Sequence, residues 1–174
     1  MKNIKYTILF FAVVLNFFDC GANSKNEKRA FFEESGGYSI IIPKAWEARE
    51  TPGLKYKVFV GQTEHNFTQN INFVDEAFGG DLNFYVDAAI GQLVNLFGEN
   101  FVLIQRSDFT TLRNLEGEKL VTTISQYNRN IRQVIYCFPG DGKKILATCS
   151  VSAESGASYD AFFDSIMETF EWAK

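Results

Sequence analysis

The chain's single histidine, His65, is the natural starting point for any acid–base chemistry. A hydrolytic triad needs a nucleophile held against a base and a third group that orients the base. His65 lies in Gln62-Thr63-Glu64-His65-Asn66, which reads as an exposed loop ahead of a strand. The sequence contains no Gly-x-Ser-x-Gly elbow, and Cys137 and Cys149 fall in strand-like segments. A hydrolase that gathers His65 with Asp75 or Glu76 therefore stands only as a second alternative, behind a surface histidine.

Metal and phosphate chemistry have less to work with. One histidine and no closely spaced cysteine pair are too few ligands for a zinc site. The acidic loop Asp75-Glu76-Ala77-Phe78-Gly79-Gly80-Asp81 lacks the alternating aspartates of a calcium loop. Gly140-Asp141-Gly142-Lys143-Lys144 has glycine and lysine without the spacing of a phosphate loop, and reads as a hairpin turn. Arg129, Arg132, Lys143 and Lys144 read as scattered solubility charge rather than a docking patch. No catalytic residue, metal or cofactor is assigned.

The N-terminus carries the clearer message. Lys2 and Lys5 precede an apolar run from Tyr6 to Phe18, and the polar stretch from Gly21 to Arg29 follows Cys20. A basic start, a short apolar core and a small-residue exit make an export signal over residues 1–19. The run falls short of the roughly 20 apolar residues that a membrane span requires. The placement of Cys20 before Gly21 resembles a bacterial lipoprotein signal, in which the cysteine is lipidated and becomes the mature N-terminus. Cleavage after Ala22, giving a secreted soluble protein, and retention as an uncleaved anchor are the alternatives. Lipidation would hold the protein at a membrane, since each buried acyl methylene contributes about 0.8 kcal/mol. Residues 20–31 then form a polar tether, whose ten residues from Gly21 to Ala30 reach at most about 35 Å.

Loss of the leader removes two lysines and one aspartate, making the formal charge more negative than the −4 of the whole chain. That balance excludes nucleic acid as a non-specific partner. The remainder, residues 32–174, is enough for one domain with its own core. Cys137 and Cys149 are an even pair in a predicted hairpin, as suits an oxidising compartment. A disulfide between them requires the hairpin to centre on Lys143, whereas the evident turn centres on Asp141-Gly142. The alternative is two separate buried thiols.

Periodicity supplies the elements. Strands are expected at Gly37–Pro43, Tyr56–Val60, Asn70–Asp75, Phe101–Phe109, Glu118–Gln126, Ile131–Phe138 and Ile145–Val151. Between the third and fourth, Leu82, Tyr85, Val86, Ala89, Leu93 and Leu96 recur at helical spacing, with Asp81 as N-cap and Gly98 at the exit. A last helix from about Ser158 presents Phe162, Phe163, Ile166, Met167 and Phe170. The fold class is α+β, an antiparallel sheet of about six to seven strands packed by helices. Trp46 and Phe78, beside loop-forming residues, are ranked first for an exposed aromatic binding surface.

The order of these pieces is similar to the PsbP-like superfamily, which includes DcrB-type bacterial envelope lipoproteins. The likeness rests on Gly37-Tyr38-Ser39-Ile40-Ile41-Ile42-Pro43-Lys44-Ala45-Trp46, Gln69-Asn70-Ile71-Asn72-Phe73, Leu82-Asn83-Phe84-Tyr85-Val86 and the closing Thr169-Phe170-Glu171-Trp172. It implies an α/β/α sandwich and a largely non-enzymatic life spent binding proteins. The expected function is thus that of an exported, lipid-anchored envelope protein that binds or stabilises a protein partner or membrane complex. The first alternative is a carrier of a small apolar ligand between helix and sheet.

Overall fold

The computed structural model describes residues 27–173, so the export signal and Cys20 lie outside the described residues. In chain order the strands and helices are β1 (Lys28–Glu33), β2 (Tyr38–Pro43), β3 (Glu47–Arg49), β4 (Val58–Glu64), β5 (Phe67–Ala77), α1 (Leu82–Phe97), β6 (Phe101–Thr110), β7 (Glu116–Gln126), β8 (Arg129–Gly140), β9 (Lys143–Ser152), α2 (Asp160–Met167) and β10 (Glu171–Trp172). Seven strands form one antiparallel sheet in the order β3-β4-β5-β9-β8-β7-β6, and β1-β2-β10 form a second.

Alternation along each strand divides the large sheet into two buried faces. Phe59, Ile71, Phe73, Val134, Tyr136, Phe138, Ile145, Ala147 and Cys149 point to one face, where β2 covers them with Tyr38, Ile40 and Ile42, α2 with Phe163, Ile166 and Met167, and the turn after α2 with Phe170. Leu120, Ile135, Cys137 and Leu146 point the other way, beneath Tyr85, Val86 and Leu93 of α1. The result is an α+β molecule in layers, with helices on opposite faces of an antiparallel sheet.

Short turns fix the registers. Glu64 pairs with Phe67 across His65-Asn66, and Gln126 with Arg129 across Tyr127-Asn128. All four turn residues have positive φ, the conformation that matches a two-residue hairpin to strand twist. Gly140 pairs with Lys143, so the last hairpin centres on Asp141-Gly142.

Several elements depart from the sequence expectation, among them β3, Glu47–Arg49, which the periodicity does not predict. The tether assigned to residues 20–31 overlaps the first four residues of β1, whose six residues pair with β2 from Lys28↔Pro43 to Glu33↔Tyr38. Just before it, Glu27 holds Lys44 in an ion pair of 2.8 Å. The final helix stops at Met167, and Glu171-Trp172 instead pair with Ser39 and Tyr38 of β2. Asp81 occupies the N-cap position of α1 but makes no side-chain cap bond.

Candidate functional site

The first turn of α1 and the end of the β6–β7 hairpin enclose an open groove of about 660 Å³. Its walls are acidic. Asp81 and Asp87 come from the helix side, and Asp108, Glu116 and Glu118 from the strands. Arg106 bridges Glu118 and Asp87, tying β6 to β7 and to α1. Asp81, Asp108 and Glu116 have no ion-pair partner among the described residues. Phe84, 64 % exposed, stands at the rim and stacks on Phe78 with ring centroids 6.2 Å apart. Gly80 permits this approach, because a Cβ there would lie 2.7 Å from the Phe78 ring. Chemically the groove is a cation-attracting slot with an apolar edge.

The aromatic surface expected at Trp46 and Phe78 is corrected. Both rings are buried, and they lie on opposite faces of the sheet. Trp46 lies over Gly61, where a Cβ would come within 2.5 Å of the indole, and packs against Phe162 and Phe163. Phe78 is covered by Tyr85 and by Lys144, whose ammonium sits 5.5 Å from the ring centre. Loop-adjacent aromatics were drawn into the core because glycines beside them left room for the rings.

The hydrolase constellation is corrected as well. His65 sits in the β4–β5 turn and Asp75 and Glu76 near the far end of β5, about 30 Å away along the strand. His65 faces Glu154 at 3.1 Å, and Tyr85 donates to Glu76 at 3.1 Å. Asp75 accepts from Lys55 at 2.8 Å; burial is the largest single influence and raises its pKa, but Lys55, Tyr56 and Lys143 together outweigh it and leave it below the ordinary value. No group of three or more histidine, cysteine or carboxylate side chains placed to hold a metal occurs among the described residues.

The basic residues do not form a patch. Arg129 and Arg132 start β8, whereas Lys143 and Lys144 follow its far end. Arg132 is committed to Asp160, and Lys144 is buried against the Phe78 carbonyl.

The cysteines fall to the unpaired alternative. Cys137 pairs with Leu146, and Cys149 with Val134, so the thiols sit at different ladder positions and on opposite faces. Both are free and fully buried, and burial pushes both thiol pKa values well up. We predict that neither reacts with iodoacetamide at pH 8 in the folded protein. Unfolding without reductant should then release two alkylatable thiols, and release of none would restore the disulfide.

A further set of residues went unforeseen. On the α1 side of the sheet, Asn70, Ser150, Gln133 and Thr122 are consecutive cross-strand neighbours, all at 3 % exposure or less. Asn72 and Thr148 form the next row. Among the described residues Asn70 Oδ1, Asn72 Nδ2, Thr122 Oγ1 and Gln133 Oε1 have no hydrogen-bond partner. Buried polar atoms are almost always paired, so four together mark a place of unmet hydrogen-bonding capacity. The alternation of Asn70, Ile71, Asn72 and Phe73 looks in sequence like a strand with one wet face, which concealed this row.

Neither a family model nor a curated protein matches the chain by sequence. Solved structures do match. Cyanobacterial PsbP (CyanoP) from Synechocystis aligns with a TM-score of 0.65 at 13 % identity, over 89 % of this chain and 98 % of its own. LpqN of Mycobacterium tuberculosis, involved in cell envelope biogenesis, aligns at 0.61 and 15 %, over 88 % and 100 %. The Ran-binding protein Mog1p of Saccharomyces cerevisiae aligns at 0.57 and 11 %, over 85 % and 96 %. At these identities the likeness is one of fold. The chain thus has the PsbP-like fold, with β1-β2-β10 and α2 on one face of the large sheet and α1 on the other.

Proposed function

We propose that this is an exported, lipid-anchored envelope protein of DcrB type, which binds a protein partner without catalysis. The observation that carries the reading is the acidic groove beside α1, with three carboxylates that have no ion-pair partner among the described residues and an exposed phenylalanine at its rim. Such a groove fits a partner segment that presents lysine or arginine next to an apolar side chain. The cations face Asp81, Asp108 and Glu116, and the apolar group stacks on Phe84. Cys20, in the sequence context described above, supplies the anchor, and the membrane is the second partner. The envelope role of LpqN and the Ran binding of Mog1p support use of this fold for recognition rather than chemistry.

A photo-crosslinking residue at position 84 of the full-length protein in cells tests the reading. It should trap a protein partner, and Asp108→Lys with Glu116→Lys should reduce the yield at least about tenfold, as lost charge complementarity allows. A crosslinker at Tyr127, exposed in the β7–β8 turn, serves as the control. Equal capture from both positions would overturn the groove as the binding surface. A Cys20→Ala change should move the protein out of the membrane fraction. The unpaired polar row on the sheet favours a second reading, a binder of a small uncharged ligand. A small molecule retained by the purified protein, with no trapped protein, would favour that one.

A further inference from the structure

The small sheet β1-β2-β10 has an inner and an outer face. Phe31 packs its ring on Phe59 at 4.8 Å, and Ile40 and Ile42 are buried in the core, so the alternate residues of β1 and β2 point outward. Phe32, Ser39 and Glu171 form one cross-strand row on the outer face, and Ala30 and Ile41 form the next. Phe32 is 54 % exposed and Ile41 38 %. Leu112, in the β6–β7 loop, is 71 % exposed and is held alongside by its backbone N–H, which donates to the Glu168 carbonyl at 2.7 Å. Ala30, Ile41 and Leu112 line one open groove of about 430 Å³. Three large apolar side chains thus share a single face. Two ion pairs border it, Arg113 with Glu171 at 3.2 Å and Lys44 with Glu27 at 2.8 Å.

Resting on the lipid-anchored reading above, we infer that this outer face lies against the phospholipid surface that holds the protein, with Phe32, Ile41 and Leu112 entering the headgroup region. The entry point of the tether favours this face. Seven positions, residues 20–26, separate the acylated cysteine from Glu27, so the bilayer lies within about 25 Å of the start of β1. Phe32 stands on that same strand, about 13 Å further along. The other exposed apolar residues, on β6 and the end of α1, are remote from it. Lys28 pairs with Pro43, just ahead of β3, and β3 and β6 are opposite edges of the large sheet, six strand spacings or about 29 Å apart. Electrostatics selects the same pose. The acidic groove lies on the α1 face of the large sheet, so docking through the small sheet turns its carboxylates away from an anionic bilayer and leaves them open to a protein partner. Attachment at residue 20 keeps the face at high local lipid concentration, so a shallow apolar insertion of about 5–10 Å is enough to hold one orientation.

The chain from residue 20 onward, coupled through Cys20 to a maleimide-bearing lipid in phosphatidylcholine vesicles, tests the inference. Cys137 and Cys149 are buried, which leaves Cys20 as the accessible thiol. Phe32→Trp and Leu112→Trp, read against the parent chain with its Trp46 and Trp172, report contact through quenching by lipid brominated near the top of its acyl chains. Both should be quenched at least about twofold more than Tyr127→Trp in the β7–β8 turn and Leu103→Trp on β6, as insertion of one face requires. The difference should persist in about 0.5 M salt, because apolar insertion rather than charge produces it. Equal quenching at all four positions, no quenching at 32 and 112, or loss of the difference in salt overturns the proposal. Chemical coupling takes the place of acylation in cells, so the two readings fail separately. Absence of quenching at 32 and 112 overturns this face alone, whereas a Cys20→Ala protein that stays in the membrane fraction overturns the anchor.

Discussion

Phe170→Ala should cost about 4 kcal/mol of unfolding free energy, measured by urea denaturation with an unchanged m-value. Phe170 is fully buried where four strands meet. Its ring stacks on Phe138 of β8 at 4.6 Å and 5°, and lies 5.5 Å from Tyr38 of β2 and 6.3 Å from Phe73 of β5. Trp172 of β10 meets it edge-on at 5.3 Å, and the indole N–H donates to the Pro139 carbonyl at 2.7 Å. Truncation therefore removes contacts to both sheets at once and leaves a cavity that no single element can close. Since domains are stable by only about 5–15 kcal/mol, this one change should bring the protein close to unfolding. Phe170→Leu keeps most of the volume and should cost under about 2 kcal/mol. Phe84→Ala, on the groove rim, should stay within about 0.5 kcal/mol of the parent. A Phe170→Ala loss below about 1 kcal/mol would show that the two sheets are not joined through this ring.

The same residue shows where the sequence was legible and where it was not. Phe162, Phe163, Ile166, Met167 and Phe170 keep helical spacing, so the pattern predicts a helix through Phe170. The chain in fact tightens after Met167, with Phe170 N–H donating to the Met167 carbonyl at 3.0 Å, and then extends to pair with β2. Burial pattern reports which side chains face the core, not whether the backbone between them remains helical. β1 was hidden for a related reason. Lys28-Arg29-Ala30-Phe31-Phe32-Glu33 has little alternation of its own, and its order comes from a ladder to β2. The long strands and α1 were readable because each carries a full period of apolar positions.

The candidate site was less legible, and for physical reasons. Five carboxylates that line one groove come from segments up to 37 positions apart, and only register brings Asp108 opposite Glu118 and under α1. Trp46 and Phe78 misled because their exposure depends on whether a neighbour leaves room for the ring. At both, the neighbour is a glycine. The cysteine question was decidable from turn chemistry, since a turn centred on Asp141-Gly142 puts the two thiols on opposite faces.

Asp164 on α2 carries the second large effect. Its Oδ1 accepts from the Tyr136 hydroxyl at 2.6 Å and from Lys119 Nζ at 2.7 Å, and Oδ2 takes a further Lys119 bond at 2.8 Å. Lys119 and Tyr136 come from β7 and β8, so one carboxylate clamps the helix to two strands. Only 12 % of the Lys119 side chain is exposed. Asp164→Ala should therefore cost about 3 kcal/mol, most of it from stranding a desolvated ammonium and an unpaired hydroxyl. The attraction itself need not be large, because bringing both ions out of water offsets much of it. That distinction yields the decisive comparison. If the loss comes from the stranded cation, Lys119→Met made in the Asp164→Ala background should restore about 1–3 kcal/mol, giving a strongly non-additive cycle. Additive losses from the two changes would mean that Asp164 acts through helix packing alone. The same outcome would leave the clamp between α2 and the sheet to Arg132 and Asp160, which meet at 2.7 Å one helical turn earlier.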